Sequence, residues 1–173
     1  MKYISEPLSR KTLSAMALAF RKLLGLNEQQ PFPCIPLLEK ILPLLDSDYN
    51  FEVVSKEEFG ELKEADTDAL NHQIRIREDV YIGAVKDSGR DRFTITHEIA
   101  HYILFYFYGI KFNLCTEETI IPKFRDIEWQ AYALAGELLV PAQAIKGLHI
   151  SEVINRYKVS NSCANVAKDL SLR

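Results

Sequence analysis

The sequence has few cysteines and no long apolar segment. Its three cysteines, Cys34, Cys115 and Cys163, are odd in number and widely spaced, which indicates reduced thiols and not the disulfide framework of a secreted protein. No apolar run reaches the roughly 18 residues that a membrane-spanning helix needs. The opening residues, MKYISEP, lack the apolar core of a signal peptide. These absences predict a cytoplasmic protein with no membrane partner.

Positive charge is also scarce. The 173 residues include 21 Lys and Arg against 24 Asp and Glu, which gives a net charge of −3. The most basic stretch, residues 75–77 with Arg90 and Arg92, is interspersed with acidic residues. A protein that neutralises many phosphates normally presents a basic face. We therefore expect no direct contact with nucleic acid.

The pattern of apolar residues predicts an α+β protein that forms one domain over residues 1–173, since no repeat, low-complexity tract or linker divides it. Helices are expected at about residues 7–45 and a small sheet at about 50–86. The sheet includes a strand over 50–54 and a hairpin of 73–77 and 80–85, which alternate apolar and polar residues. Further helices are expected at about 91–108, 126–140 and 151–171. The last of these regions reads as two short helices that pack on the rest of the chain.

Residues 97–101 read His-Glu-Ile-Ala-His inside a predicted helix. Two histidines four positions apart lie on one helical face, so both imidazoles can reach one zinc ion. Glu98 is then close enough to act as a general base on a water molecule. The alternative is an amphipathic helix with ordinary histidines. The face that carries His97 and His101 is otherwise apolar (Ala100, Leu104), and this favours the metal because buried imidazoles need partners.

A catalytic zinc site also needs a third protein ligand. The downstream candidates are Cys115, Glu117, Glu118, Asp126, Glu128, Glu137 and His149. Helical periodicity in the 126–140 segment predicts that Glu128 faces the core and that Glu137 faces solvent. A buried carboxylate needs a cation or strong donors nearby, so Glu128 is the predicted third ligand.

Two longer segments carry a family resemblance. RFTITHEIAHYIL and IEWQAYALAGELLVP resemble the ImmA/IrrE family of zinc metallopeptidases, in which Arg-Phe-Thr precedes HExxH and a glutamate opens an alanine-rich helix that ends in Leu-Leu-x-Pro. The resemblance covers about residues 74–173. It implies a zincin-like fold in which His97, His101 and Glu128 bind zinc, with manganese as the alternative metal, and Glu98 is the catalytic base. At the two variable positions of HExxH the chain has Ile-Ala where Leu or Phe followed by Gly is commoner, which is a conservative difference.

The resemblance also implies a function. It predicts a zinc-dependent endopeptidase that cleaves a specific protein partner, a helix-turn-helix repressor or antitoxin, and so derepresses phage, mobile-element or stress genes. A strand just before the HExxH helix resembles the arrangement in zincin-type peptidases. By that resemblance a strand edge beside the metal would bind substrate as an added β-strand, and the 80–85 strand is the predicted edge for that role. His72, His149 and Tyr or Arg side chains stay open as oxyanion stabilisers.

A competing hypothesis is a non-enzymatic, zinc-stabilised interaction module that binds a repressor partner, as in toxin–antitoxin pairs. Glu98 favours the enzyme, because a structural zinc site needs no carboxylate beside its metal. Direct regulation of transcription through the C-terminal helices is a third, weaker reading, since the chain lacks a basic face.

Overall fold

The structure, a computed structural model, describes residues 2–116 and 120–172 and is mainly helical. The helices are α1 Arg10–Leu23, α2 Cys34–Pro36, α3 Leu42–Leu45, α4 Lys56–Phe59, α5 Glu78–Val85, α6 Gly89–Tyr102, α7 Ile127–Leu139, α8 Ile150–Tyr157 and α9 Asn161–Ser171. A π-helical turn, Leu37–Ile41, joins α2 to α3, and a second, Ile103–Phe107, extends α6. Within the described ranges, no helix combines the length and apolarity needed to cross a membrane.

The strands of the described residues form two small sheets. β1 Lys2–Ser5 pairs antiparallel with β5 Phe112–Cys115. In the second sheet the order is β2 Asn50–Val54, β4 Gln73–Arg77, β3 Ala65–Asp68. β2 and β4 are parallel, whereas β3 and β4 form an antiparallel hairpin. β3 is therefore an edge strand, and it packs on α6.

The predicted 80–85 strand is wrong, because this segment belongs to helix α5. Val80 and Ala84, four positions apart, are buried, whereas Ile82 between them is 41% exposed. The apolar residues thus follow the helical period and not the strand period. Asp79 in the first turn accepts a hydrogen bond from the Val80 amide (2.9 Å), which favours the helix start. The hairpin of the sheet lies between β3 and β4 instead.

The N-terminal segment also differs from the sequence prediction. Strand β1 precedes the first helix, which begins at Arg10 behind the N-cap residue Ser9. The sequence does not predict β1 or β5, since each is only four residues long and is stabilised by pairing with a segment more than a hundred residues away. This pairing brings the start of the chain beside the region that leads into α7.

One apolar core joins the helices to the three-stranded sheet. It draws buried side chains from α1, β4, α6, α7 and α9, among them Phe20, Ile76, Ile99, Leu138 and Ala164. Helix α6 packs against α7 on one side and against α5 and β3 on the other. The chain is thus a single α+β domain in which the edge of a small sheet lies over the HExxH helix.

The N-terminal end of α6 is fixed by two buried contacts. The guanidinium of Arg92, in a residue only 5% exposed, donates to the carbonyl oxygens of Phe32 (2.7 Å) and Lys158 (3.1 Å). Gly89 lies so close to the main chain of the α8–α9 junction that an added Cβ would be 2.3 Å from the Val159 carbonyl carbon. The HExxH helix therefore has a defined position relative to α9.

Candidate metal centre

Helix α6 places His97 and His101 side by side. It begins behind the N-cap residue Ser88, and Gly109 (φ 62°) ends its π-helical extension. The Nε2 atoms of the two histidines are 3.1 Å apart, and their rings are nearly perpendicular. Both side chains keep partial exposure, 17% for His97 and 16% for His101. The two imidazoles therefore present the same nitrogen to one accessible point.

Glu128 approaches that point from the first turn of α7. Asp126 caps the helix by accepting a hydrogen bond from the Glu128 amide (2.9 Å). Glu128 Oε2 lies 3.3 Å from His97 Nε2 and 3.5 Å from His101 Nε2. The expected core-facing position of Glu128 is wrong, since its side chain is 68% exposed. The fully buried residues of α7 begin at Gln130, so Glu128 in the first turn lies at the cleft with the histidines as its neighbours.

The three donor atoms form a triangle with sides of 3.1, 3.3 and 3.5 Å. Two ligands at about 2.0–2.1 Å from a tetrahedral zinc ion lie about 3.3–3.4 Å apart, so the spacing fits one ion. Two imidazoles and a carboxylate are also a donor set that catalytic zinc sites use. Nδ1 of His97 is buried and has no hydrogen-bond partner in the described part of the chain, so Nε2 is the nitrogen that faces the cleft.

Protonation within this group follows from the same contacts. Hydrogen bonds with His101 and His97 hold the pKa of Glu128 far below its ordinary value. Burial acts to lower the pKa of His101, but the hydrogen bond with Glu128 and the charges of Glu98 and Glu128 outweigh it and raise that pKa overall. Glu128 is thus ionised at neutral pH, as a metal ligand must be. A proton on His101 would have to leave when a metal binds.

Glu98 is the buried acidic residue of the HExxH segment, at 9% exposure. Its Oε2 accepts a hydrogen bond from Thr67 Oγ1 in strand β3 at 2.7 Å, and its main-chain oxygen lies 3.1 Å from the same hydroxyl. The sequence does not predict Thr67 as a site residue. The charged residues 57–68 are compatible, in the sequence, with either a short helix or a loop. Only the tertiary fold brings Thr67 to α6.

The other candidate ligands lie elsewhere. Asp126 caps α7, His149 occupies the N-cap position of α8, and Cys115 ends strand β5. Glu117 and Glu118 lie outside the described residues. Of the seven downstream candidates, Glu128 is the one found with the two histidines among the described residues.

The expected solvent-facing position of Glu137 is wrong. The residue is 4% exposed, and its Oε2 accepts hydrogen bonds from Ser14 Oγ (3.2 Å) and the Ala142 amide (3.3 Å). Helix α7 packs against α1 as well as α6, so it is buried on more than one face. A single apolar stripe therefore does not identify its solvent side.

A second group with metal-ligand side chains consists of Asp46, Asp48 and His72, whose donor atoms lie within 4.8 Å of one another. Asp46 accepts a hydrogen bond from the Tyr102 hydroxyl, and its Oδ2 is 2.7 Å from His72 Nδ1. Burial acts to raise the pKa of Asp46, but these hydrogen bonds outweigh it and lower that pKa. The His72 ring also packs on Tyr106, with centroids 4.3 Å apart. These contacts link His72 in the β3–β4 turn to the HExxH helix and its extension.

The geometry agrees with a comparison with known families. Residues 52–166, about two thirds of the chain, match the family model Peptidase_M78, which describes an IrrE N-terminal-like domain. The match begins within β2 and ends within α9, and so contains the His97–His101–Glu128 group. No curated protein matches the chain.

Proposed function

The chain belongs to the Peptidase_M78 family of metallopeptidases, and on that premise we propose that it is a zinc-dependent endopeptidase acting on a specific protein partner. The observation that carries the proposal is the triangle of His97, His101 and Glu128 donor atoms, with Glu98 lining the same depression as His101 and Glu128. Three protein ligands leave a tetrahedral zinc ion with one open position, which a catalytic site needs and a structural site lacks.

His97, His101 and Glu128 would hold the metal. Zinc, when bound there, supplies Lewis acidity that polarises the scissile carbonyl and makes water a better nucleophile at neutral pH. The accessible side of the site is the side where Glu128 is exposed, so substrate approaches along the cleft that this residue borders.

Glu98 is the proposed general base. It accepts a proton from the attacking water and passes it to the leaving amine, a role worth about 10²–10⁴-fold in rate. The hydroxyl of Thr67 donates to Glu98 Oε2 and leaves Oε1 as the oxygen that meets the reacting water. Thr67 thereby orients the carboxylate.

Strand β3 is the proposed site for main-chain recognition, in place of the 80–85 segment. The Arg77 amide donates to the Glu64 carbonyl oxygen, and in this antiparallel register Asp66 and Asp68 likewise direct their main-chain groups to β4. Ala65 and Thr67 then direct theirs to the open edge. An extended segment of substrate can pair there as an added strand, beside the Glu98 that Thr67 contacts.

The proposed substrate is a helix-turn-helix repressor or antitoxin, whose cleavage derepresses phage, mobile-element or stress genes. This rests on the resemblance of the chain to the ImmA/IrrE family. The net charge of −3 and the packing of α8 and α9 against each other and the core support a role through a protein partner and not through DNA.

The first experiment measures zinc content in the purified protein and in the His97→Ala and Glu128→Ala variants, with the exposed Glu57→Ala as control. One zinc per chain, lost in both ligand variants and kept in the control, is the expected result. Undiminished zinc in Glu128→Ala would overturn its assignment as a ligand.

The second experiment incubates the zinc-loaded protein and its Glu98→Gln variant with candidate repressors. We expect cleavage by the first and an uncut substrate with the second, although both retain zinc. Full cleavage by Glu98→Gln would refute the general base. Repressors that bind but stay intact with either protein would favour the non-enzymatic interaction module.

A further inference from the structure

A wide apolar groove of about 670 Å³ lies between α6, α7 and α9. Its walls are mostly aromatic and aliphatic, with Arg10, Arg90 and Glu137 also in the lining. The apolar residues are Phe93 from α6, Trp129, Tyr132 and Val140 from α7 and its end, and Val166 and Leu170 from α9. Tyr132 is 59% exposed and Val166 is 49% exposed. Apolar surface of this kind is costly to leave in water and commonly marks a binding site.

The groove ends at the candidate metal centre, because His97 and Glu128 both line it. A second depression of about 730 Å³ lies on the other side of the same residues and contains Glu98, His101, Glu128 and the edge of β3. The two share Glu128. One cleft thus runs from the polar edge of β3, through the site of the reaction, into the apolar groove.

The lining of the groove includes a glycine. Gly136 lies inside α7, where glycine costs roughly 0.5–1 kcal/mol relative to alanine. A Cβ built there would meet nothing within 4 Å in the described part of the chain. A large side chain at this position would therefore extend into the groove.

The opposite wall is held in place by buried contacts. Arg92 donates to Lys158 O at the end of α8, and Gly89 lies directly against Val159 in the α8–α9 junction. These contacts position the start of α9 relative to α6. The separation of α9 from α7 is therefore built into the fold.

We infer that this groove binds an apolar stretch of the substrate polypeptide on one side of the cleaved bond, an inference that rests on the proposed function. Pairing with β3 recognises the main chain whatever its sequence, whereas the groove selects apolar side chains. Its continuity with His97 and Glu128 favours a transient occupant, since a permanent one would stand against the reacting site. The cleaved bond thus lies next to an apolar segment that the partner exposes or unfolds locally.

The test uses Trp129, the one tryptophan of the chain, as a reporter of occupancy. Zinc-loaded Glu98→Gln protein, which does not cut the ligand, is titrated with a short blocked peptide that carries a Leu-Phe-Leu core. A matched peptide has serine at those three positions. We expect a saturable change in tryptophan emission with the apolar peptide and none with the serine peptide.

A groove variant and a control outside the groove are compared in the same background. Gly136→Phe fills the groove and should weaken the apolar peptide on the order of tenfold or more, whereas Glu57→Phe, at an exposed position outside the groove, should bind as before. Circular dichroism checks the fold. If Gly136→Phe does not fold, the half-exposed Val166→Lys replaces it, with the same expected loss.

Three outcomes would overturn the inference: no saturable response to millimolar apolar peptide, an equal response to the serine peptide, or unchanged binding in Gly136→Phe (in Val166→Lys where that variant replaces it). Self-association that Gly136→Phe or Val166→Lys abolishes would assign the groove to a second copy of the chain and also overturn it. Because the readout needs no cleavage, failure of the groove and failure of the proposed peptidase activity are distinguishable.

Discussion

Thr67 Oγ1 lies 2.7 Å from Oε2 of Glu98 and 3.1 Å from its main-chain oxygen, and this hydroxyl joins the edge strand of the sheet to the HExxH helix. The hydroxyl comes from the same strand whose main chain is open for pairing. Strand β3 would therefore position both a substrate segment paired with its edge and the carboxylate of Glu98. Movement of β3 would displace both together.

Replacing Thr67 by valine should lower kcat by about 10- to 100-fold, since a hydrogen bond to a charged group is worth about 1.5–3 kcal/mol. Zinc content and KM for the substrate found by co-incubation should change little, because neither the metal ligands nor the main chain of β3 is altered. Thr67→Ser, which keeps the hydroxyl, should restore most of the rate. Equal losses in the valine and serine variants would mean that the methyl group matters and that the hydroxyl does not orient Glu98.

Two helical glycines should respond oppositely to alanine. A Cβ at Gly89 would lie 2.3 Å from main-chain atoms of the α8–α9 junction, so the free energy of unfolding should fall by about 1–3 kcal/mol. A Cβ at Gly136 meets no described atom within 4 Å, and Gly136→Ala should raise it by roughly 0.5–1 kcal/mol. Denaturant unfolding of the two variants measures both, and changes of the same sign would contradict the close approach at Gly89.

The buried arginine of the Arg-Phe-Thr segment should matter for stability and not for metal binding. Arg92→Met would leave the carbonyl oxygens of Phe32 and Lys158 without their donor, which should lower the free energy of unfolding by at least about 2 kcal/mol. Arg90→Met is the matched control, since Arg90 is 66% exposed and its ion pair with Glu64 is at the surface. That change should cost less than about 1 kcal/mol. A similar loss in both variants would contradict the anchoring role of Arg92.

The sequence predicted two local features around the candidate site. The spacing of His97 and His101 determines their proximity through helix geometry alone, and the helix predicted at about 126–140 corresponds to α7. The approach of Glu128 to both histidines depends on how α6 and α7 pack, which periodicity within one helix does not contain. The sequence analysis selected Glu128 because it expected this side chain to face the core. That reason is wrong, because the side chain is 68% exposed.

Other features lay beyond the sequence for a similar reason. Residues 80–85 alternate in the sequence, yet only the burial of Val80 and Ala84 against α6 and the sheet distinguishes a helix from a strand there. The β1–β5 pair and the contact of Thr67 with Glu98 join segments distant in the chain. The apolar groove is likewise formed by three helices, α6, α7 and α9, so it depends on their packing and not on local sequence.

Glu137 gives a prediction about pH. Burial raises the pKa of its carboxyl above the ordinary value of 4.5, although hydrogen bonds from the Ala142 amide and Ser14 and the charge of Arg10 partly oppose this. Between the unfolded and folded pKa values the folded protein binds more protons than the unfolded chain, so stability falls as pH rises through that window and then stays lower. Glu137→Gln removes the titration and keeps an oxygen that accepts from Ser14 and Ala142. The variant should therefore gain stability relative to the unmodified chain on going from pH 4 to pH 7.

Denaturant unfolding of both proteins in the metal-free form measures this difference, and the effects of His101 and Glu128 cancel because both proteins carry them. The exposed Glu57→Gln supplies the comparison for removing a surface carboxylate. A gain at pH 4 equal to that at pH 7 would show that the buried carboxyl titrates alike in the folded and unfolded chain, contrary to the burial of Glu137 beneath the groove.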